Sequence, residues 1–372
     1  MFSDSVNIVP TASLQQGMHE KPSMNLTFLT PDSEEWGQFL KTVPHDFYHL
    51  PGYARMTAPF DGGQPEAALV RSAENYFFLP YIVRPLSYIP WLGNEGSTLF
   101  DIVSPYGYPG PLFSGDEAFH RAAIGEWHRL MQQRGCVSGF IRLHPLLNVG
   151  SDIPASGGQI VERGRTVSVD LRLSLEEMWG QTRADHRRNI SKSRRSGMTA
   201  AIEDFDANLD AFLEMYKETM DRTRASPYYY FPASYFRTLK EVMGEQMSLC
   251  LVRGGGGELL SGALLTECCG IVQYHLSGTF NSAIQLRPSK LMLDYARTWA
   301  KARGNDAFHL GGGFGAKEDS VFEFKAGFSS SRHSFYTWQF IFSTDQYMLL
   351  EERRRGLETA APNTEFFPVY RG

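Results

Sequence analysis

A layout that occurs twice constrains the fold of this chain more than any other feature. The tripeptide Leu-Val-Arg ends the runs 68–71 and 250–253, and a short turn and a long apolar run follow each of them. Turns rich in Gly, Asn or Ser between β-rich runs indicate hairpins. The two tripeptides lie about 180 residues apart, which is roughly the length of a domain.

The likeness continues downstream of both hairpins. In each copy an amphipathic helix ends at an Arg-Gly pair and a strand follows, and Gly just past a helix is a common stop signal. Helix and strand are predicted at 118–133 and 138–143 in the first copy and at 289–302 and 307–310 in the second. Ser289 is the predicted N-cap of the second helix. Each half thus predicts strand, hairpin, strand, helix and strand, which indicates a duplicated α+β domain.

Other elements are predicted from local patterns alone. Apolar positions at helical spacing indicate four further helices, at 174–196, 208–222, 235–243 and 348–355. The cysteine spacing matches neither a zinc site nor a disulfide framework, so no metal is expected. Cys268 and Cys269 are adjacent in a strand-like run and are expected to point to opposite faces.

Composition limits the classes of function. The chain has 372 residues, 42% of them hydrophobic, with a formal net charge of -5 and a pI of about 6.1. A general attraction to nucleic acid is therefore not expected, and any polyanion has to meet a local basic patch. The N-terminus lacks a signal-peptide pattern, and no run approaches the roughly 20 apolar residues of a membrane span. We therefore expect a cytoplasmic protein that is a monomer.

One local basic patch lies in the run 183–195, which holds many Arg and Lys residues and a single acid. On a helix Arg188, Lys192 and Arg195 lie on one face, at spacings of four and three. This face is either simply solvated or makes phosphate contacts with a ligand.

Two aromatic segments suit a ligand site. The loop 104–111 holds Tyr106 and Tyr108 between Gly and Pro residues, so these tyrosines either meet a ligand or fill the core. Arg222 and Arg224 precede an aromatic run, which suits a flat or phosphorylated ligand. The alternative is a helix terminus whose arginines favour the negative end of the dipole.

A fourth segment combines glycines with a lysine among aromatics. Gly312 and Gly313 follow a predicted strand, where the backbone turns sharply or approaches a ligand. Lys325 lies between Phe324 and Phe328, so it either takes part in chemistry or extends from the core toward solvent.

At these residues the sequence resembles the Fem-type (FemABX-like) family of aminoacyl-tRNA-dependent peptidyltransferases. The resemblance is carried by 310–313, Asp319 and 324–328, by the loop 104–111, and by 166–171 with the basic helix 183–197. It covers roughly residues 27–342. It implies two tandem GNAT-like domains, each a mixed central sheet flanked by helices. We expect a flexible lead at 1–25, domain 1 at 26–163 completed by the C-terminal 337–372, and domain 2 at 164–336.

The resemblance also implies an activity, which is transfer of an aminoacyl group from aminoacyl-tRNA to an amine. No bound cofactor is implied. By position Lys325 matches the lysine that assists transfer, and Phe324 precedes it likewise. Arg222 or Arg224 matches an arginine that holds acceptor phosphates. The candidate substrate-binding residues are Tyr106, Tyr108, Arg222, Arg224, Tyr229, Gly312 and Gly313.

The acceptor amine stays open. The sequence has no long charged helical arm of the kind that some peptidoglycan members use. The acceptor is therefore the amine of a small-molecule or of a cell-wall or polysaccharide precursor.

Two other classes of function remain. An acyl-CoA-dependent N-acyltransferase of the GNAT superfamily cradles a pyrophosphate on a glycine-containing loop at a helix N-terminus. The equivalent loop here is 285–290, in which Pro288 lacks a donor and Lys290 stands where a small residue is wanted. A non-catalytic module that binds a glycan or a nucleotide is the third class, because clustered aromatics would serve it too.

Overall fold

The computed structural model describes residues 24–93, 98–148, 158–357 and 366–372. The expected flexible lead at 1–25 therefore lies almost entirely outside the described residues. The strands are β1 Asn25–Leu29, β2 Gln64–Arg71, β3 Tyr76–Pro85, β4 Phe100–Val103, β5 Leu112–Phe113, β6 Cys136–Arg142, β7 Gln159–Asp170, β8 Thr199–Glu203, β9 Met247–Arg253, β10 Leu259–Cys268, β11 Ile271–Thr279, β12 Ala307–Gly311 and β13 Arg332–Ile341. The α-helices are α1 Glu34–Leu40, α2 Pro51–Asp61, α3 Glu117–Gln133, α4 Leu175–Gln181, α5 Ala184–Arg195, α6 Phe205–Thr223, α7 Ala233–Met243, α8 Pro288–Ala302, α9 Ser320–Ala326 and α10 Thr344–Arg355.

The described strands form one mixed sheet. Its pattern of strand pairings is the same when it is followed inward from either edge. Neighbours follow the order β1-β2-β3-β4-β6-β13-β7-β12-β11-β10-β9-β8, with β5 on β3. In each half three antiparallel pairings precede one parallel pairing, which is β4 with β6 in the first half and β11 with β12 in the second. A helix connects each parallel pair, α3 in the first half and α8 in the second. The two halves share one topology, so the predicted duplication is confirmed.

The end of the chain joins the two halves. β13 pairs with β6 in the first half and, along most of its length, with β7, so the sheet is continuous across the junction. In the first half β13 thus holds the position that β7 holds beside β12 in the second. Trp127 of α3 packs against Trp338 and Phe340 of β13, with ring centroids 6.3 and 5.1 Å away. The domain boundaries at 163 and 336 stay a prediction.

One core contains residues from both halves. Phe47 and Tyr53, which flank the start of α2, share it with Phe212 of α6 and Phe236 of α7. Because apolar burial is the main favourable term in folding, this shared core holds the halves against each other. The site described below lies beside it.

The long helix predicted at 174–196 is wrong, because the structure has two helices there. Thr182 is extended, with φ -68° and ψ 127°, and the hydroxyl of its side chain donates to the Met178 carbonyl. Arg297 of α8 donates to Thr182 Oγ1 at 2.7 Å and to the same carbonyl at 3.1 Å. A buried arginine from another helix thus satisfies the polar groups at the break, which a local pattern does not reveal.

Two local predictions near β10 and α8 are also wrong. The N-cap of α8 is Arg287 rather than Ser289, because Pro288 occupies the first helical position. β10 ends at Cys268, and Cys269 stands in the turn with φ 44°. The left-handed turn brings the two sulfur atoms and a ring nitrogen of His45 within 4.8 Å of one another instead of on opposite faces. The remaining predicted helices and strands are present, with ends shifted by a few residues.

Candidate active site

A short capped helix carries Lys325. α9 begins after Asp319, whose carboxylate accepts from the backbone N–H groups of Val321 at 3.0 Å and Phe322 at 2.9 Å. The second carboxylate oxygen accepts from the N–H of Phe314 at 3.0 Å. One aspartate therefore fixes both the helix start and the loop before it.

The glycines before this loop let the backbone approach closely. A Cβ at Gly313 would overlap the carbonyl oxygen of Lys317 and the carboxylate of Asp319. Gly311 has φ +74°, a conformation that glycine adopts without strain. Lys325 Nζ donates to the carbonyl of Gly312 at 2.6 Å, so the lysine is held against the glycine run. An ammonium group has three donors, which leaves two for a ligand.

Lys325 and Tyr108 meet at Gly311. A Cβ built on Gly311 would lie 3.4 Å from Lys325 Nζ and 3.7 Å from the Tyr108 hydroxyl oxygen, both ordinary contact distances. There is thus room for a ligand atom next to both groups. We call Lys325, Gly311, Gly312 and Tyr108 the lysine site.

Burial lowers the pKa of Lys325. Desolvation lowers the pKa of Lys325 to about 8, against an opposing attraction from Asp319. The ring of Tyr274 lies 5.9 Å from Nζ and faces the cation. Burial also raises the pKa of Tyr108 to about 12, so its phenol is a hydrogen-bond donor at neutral pH.

The predicted tyrosines lie together. The Tyr106 ring contacts the Tyr229 ring at 6.1 Å and the His275 ring at 6.0 Å between centroids. The Tyr108 ring contacts that of Phe335 at 5.2 Å. Tyr106, Tyr108 and Tyr229 thus form an aromatic wall beside the lysine site, and their role in binding stays a prediction.

Phe324 anchors α9 rather than facing Lys325. Its ring packs against the ring of His186 at 5.8 Å and that of Phe328 at 5.7 Å. The ring nitrogen Nε2 of His186, on α5, lies 2.9 Å from the Phe324 carbonyl oxygen. The basic helix is therefore bound directly to the helix that carries Lys325. A catalytic role for Phe324 stays a prediction.

Arg188, Lys192 and Arg195 are exposed on α5, and we call them the basic face. Within the described part of the chain none of them has an acidic partner. Other arginines of this segment are paired: Arg183 with Asp185 and Glu323, and Arg194 with Asp294. The three cations are thus free to meet an outside anion.

The two arginines of the third segment differ. Arg222 is exposed and donates to the Thr279 carbonyl at 3.1 Å and to Asn281 Oδ1 at 2.5 Å, which ties α6 to the end of β11. Arg224 is the exposed C-cap of α6, with φ 50°. The structure brings neither into contact with the lysine site, and their binding of acceptor phosphates stays a prediction.

Several polar residues near the lysine site were not predicted from the sequence as site residues. Asp46, His144, Gln273 and His309 are all buried and joined by hydrogen bonds. They lie far apart in the sequence and form no motif. The parallel pairing of β11 with β12, which places Gln273 beside His309, exists only in the folded sheet.

With this geometry established, comparison with known proteins assigns the fold. Residues 180–325 match the family described as "Acetyltransferase (GNAT) domain". The crystal structure of FemX is similar with a TM-score of 0.64 and 14% identity, covering 87% of this chain and 99% of FemX. L-PGS from Bacillus licheniformis is similar with a TM-score of 0.53 and 16% identity, covering 87% of this chain and 97% of that one.

The chain has the tandem GNAT fold of the Fem type. The expected α+β class with two GNAT-like domains is thereby confirmed, and so is the Fem-type resemblance at the level of the fold. The GNAT fold is an acyltransferase fold, which agrees with the predicted enzyme class. No curated protein sequence matches this chain. Among the described residues, none of the helices has the length and apolar character needed to traverse a bilayer.

Proposed function

We propose that this tandem GNAT protein transfers an aminoacyl group from aminoacyl-tRNA to an acceptor amine at the lysine site. The basic face carries the proposal. Its three cations lack acidic partners among the described residues, and its helix is bound to α9 through His186 and Phe324. Unpaired arginine and lysine side chains suit phosphate contacts. A tRNA held there would contact the helix that packs directly against the helix carrying Lys325.

The proposed reaction needs few protein groups. The neutral acceptor nitrogen bonds to the ester carbonyl carbon, and the carbonyl oxygen takes the electron pair. The resulting tetrahedral oxyanion collapses, the bond to the terminal ribose oxygen breaks, and that oxygen leaves as a hydroxyl after gaining a proton. The Lys325 ammonium stabilises the oxyanion with the donors that Gly312 does not use. The acceptor is the amine of a small-molecule or of a cell-wall or polysaccharide precursor.

Removing the basic face should weaken tRNA binding. We expect the triple variant Arg188→Ala, Lys192→Ala and Arg195→Ala to lower tRNA affinity and to flatten its dependence on salt. Each lost phosphate contact reduces the slope of log K against log salt by about one unit. Filter binding of tRNA at several salt concentrations measures both quantities.

A matched triple variant controls for net charge. Arg121, Arg129 and Arg172 are exposed and each is paired with a carboxylate, so replacing them by Ala removes the same charge elsewhere. This control should keep the wild-type salt slope. Equal slopes of log K against log salt in the two triple variants would show that the basic face is only a solvated surface.

The acyl-CoA alternative draws support from the name of the matched family, which is an acetyltransferase domain. The start of α8 speaks against it. Pro288 has no N–H, the Ser289 hydroxyl lies 2.9 Å from Thr279 Oγ1, and Lys290 is buried. Lys290 Nζ donates to Asp185 Oδ2 at 2.8 Å. The first turn of α8 therefore makes hydrogen bonds within the protein and does not present free donors to a pyrophosphate.

One assay separates the donor classes. Purified protein is incubated with an amine mixture and either radiolabelled aminoacyl-tRNA or acetyl-CoA, and release of free tRNA or CoA is followed. We expect enzyme-dependent release from aminoacyl-tRNA alone. Release from acetyl-CoA alone would establish the alternative, and binding without release from either would indicate a non-catalytic module.

The pH dependence tests the charge of Lys325. Its ammonium form predominates below pH 8 and is lost above it, because burial lowers its pKa to about 8. A cation that stabilises the oxyanion therefore predicts that turnover falls as the pH rises through about 8. In Lys325→Arg this fall should disappear, since a guanidinium stays charged throughout the range. Spontaneous ester hydrolysis is subtracted with enzyme-free blanks, and the same alkaline fall in both proteins would contradict the assignment.

A further inference from the structure

A buried carboxylate heads a chain of hydrogen bonds that crosses both halves of the protein. Asp46 is fully buried and accepts from the Phe47 N–H at 2.7 Å. Its Oδ2 also lies 2.8 Å from His144 Nε2 and 2.6 Å from Gln273 Nε2. Gln273 Oε1 lies 2.7 Å from Nδ1 of His309. The chain Asp46–Gln273–His309 joins a loop before α2 to the neighbouring strands β11 and β12 of the second half.

The direction of each hydrogen bond in this chain follows from chemistry. His144 Nδ1 accepts from the N–H groups of Leu146 and Leu147, both at 3.1 Å, so its Nε2 carries the proton that is donated to Asp46. Both oxygens of Asp46 accept, Oδ1 from the Phe47 N–H and Oδ2 from His144, so Gln273 turns its amide N–H to Asp46 and its oxygen to His309. Nδ1 of His309 therefore donates, and its Nε2 holds a lone pair.

That lone pair has no hydrogen-bond partner among the described residues, although His309 is completely buried. Leaving a buried polar atom unpaired costs free energy, so such an atom in a native fold calls for an explanation. His49 and His144 in the same region have both ring nitrogens bonded. The unpaired nitrogen distinguishes His309 from them.

His309 stands beside the lysine site. It lies on β12 two residues before Gly311, and its ring centroid is 5.3 Å from that of Tyr108. Burial, with the nearby His144, His333 and Lys325, lowers the pKa of His309 well below its usual range. These titratable groups face His309 from the elements around it. His144 lies in the loop after β6, His333 on β13 and Lys325 on α9, and Tyr108 lies in the loop before β5. Its imidazole is therefore neutral at physiological pH.

We propose that His309 Nε2 is the general base of the transfer reaction and that Gln273 and Asp46 are positioning residues. The proposal rests on the aminoacyl transfer proposed above. As the amine nitrogen bonds to the carbonyl carbon it becomes cationic, and its N–H proton passes to Nε2. The imidazolium then returns that proton to the ribose oxygen as the C–O bond breaks. Each proton and electron pair is thus accounted for, while Lys325 faces the oxyanion.

The neutral form of the His309 imidazole suits this step. A free amine holds its protons tightly, but a nitrogen that has bonded to the carbonyl carbon is cationic and releases a proton readily. An imidazole that is unprotonated at neutral pH can accept this proton, whereas one that is already protonated cannot. The imidazolium that forms is stabilised through Gln273 by the Asp46 carboxylate, in the way that a buried acid orients a catalytic histidine.

The test compares variants at saturating aminoacyl-tRNA. His309→Gln should lower kcat by about 10²-fold with little change in the KM for the donor, since general-base catalysis contributes 10²–10⁴-fold. His309→Ala should regain activity with added imidazole, and its residual rate should rise with pH below about 8, where Lys325 keeps its charge. Gln273→Met should lower kcat less and should not respond to imidazole. His128→Gln, on α3 and away from the site, is the matched control and should keep the wild-type rate.

Each outcome decides the proposal. A His309→Gln enzyme with the wild-type rate, while the wild type transfers from aminoacyl-tRNA, overturns the base and leaves the function intact. A loss of rate that imidazole does not restore and that keeps the wild-type pH profile indicates a structural role and also overturns it. A wild type that transfers nothing from aminoacyl-tRNA overturns the function and the base together.

Discussion

Replacing Lys325 by alanine is expected to lower turnover by roughly 10²–10³-fold, which is the cost of removing one good oxyanion donor. The KM for aminoacyl-tRNA should change little, because the ammonium acts on a charge that exists only in the transition state. Nζ is held by the Gly312 carbonyl beside the open position at Gly311, so its geometry is fixed before substrate binds. Single-turnover release at saturating aminoacyl-tRNA measures the effect.

Two further lysine variants sharpen this test. Lys325→Arg should restore only part of the rate, because a planar guanidinium places its donors differently. Lys317→Ala removes an exposed lysine from the preceding loop and should keep the wild-type rate. A full rate in Lys325→Ala at saturation would remove Lys325 from the chemistry. A loss of affinity with an unchanged saturated rate would instead assign Lys325 to binding of the tRNA phosphates.

Replacing Asp101 by alanine is expected to destabilise the protein by about 3–5 kcal/mol, the usual cost of leaving a buried charge without its partner. Asp101 on β4 is fully buried and bonds to Arg84 Nε at 2.8 Å. It also accepts from Arg371 Nε at 2.5 Å and from the Tyr370 hydroxyl at 3.1 Å. The variant removes the anchor of the C-terminal residues and leaves Arg84 unpaired. Urea unfolding followed by tryptophan fluorescence measures the loss.

The controls for Asp101 separate the buried pair from charge in general. Glu117 pairs with Arg121 on the surface of α3, so Glu117→Ala should leave the unfolding midpoint unchanged. Arg371→Ala should cost less than Asp101→Ala, because Arg84 and Tyr370 still hold the carboxylate. A loss in Asp101→Ala no larger than that in Glu117→Ala would contradict the assigned role.

The two halves of the fold could be predicted because their signals are local. The Leu-Val-Arg hairpins and the helices that end at Arg-Gly depend on turn residues and on which face of an element is buried. Short runs of sequence show both of these features. The same holds for the basic face, since helical spacing alone aligns Arg188, Lys192 and Arg195. The Fem-type motif located Lys325 by its neighbours in sequence.

Tertiary structure alone decided the features that join distant segments. The break at Thr182 depends on Arg297, 115 residues away, and the proposed base depends on Asp46, 227 residues from Gln273. Such contacts form only when distant strands and helices pack together, and no local sequence pattern specifies that packing. The sequence by itself therefore determined the repeated elements and the lysine motif. The pairing of the sheet decided that β13 joins the two halves and that a neutral His309 stands beside Lys325.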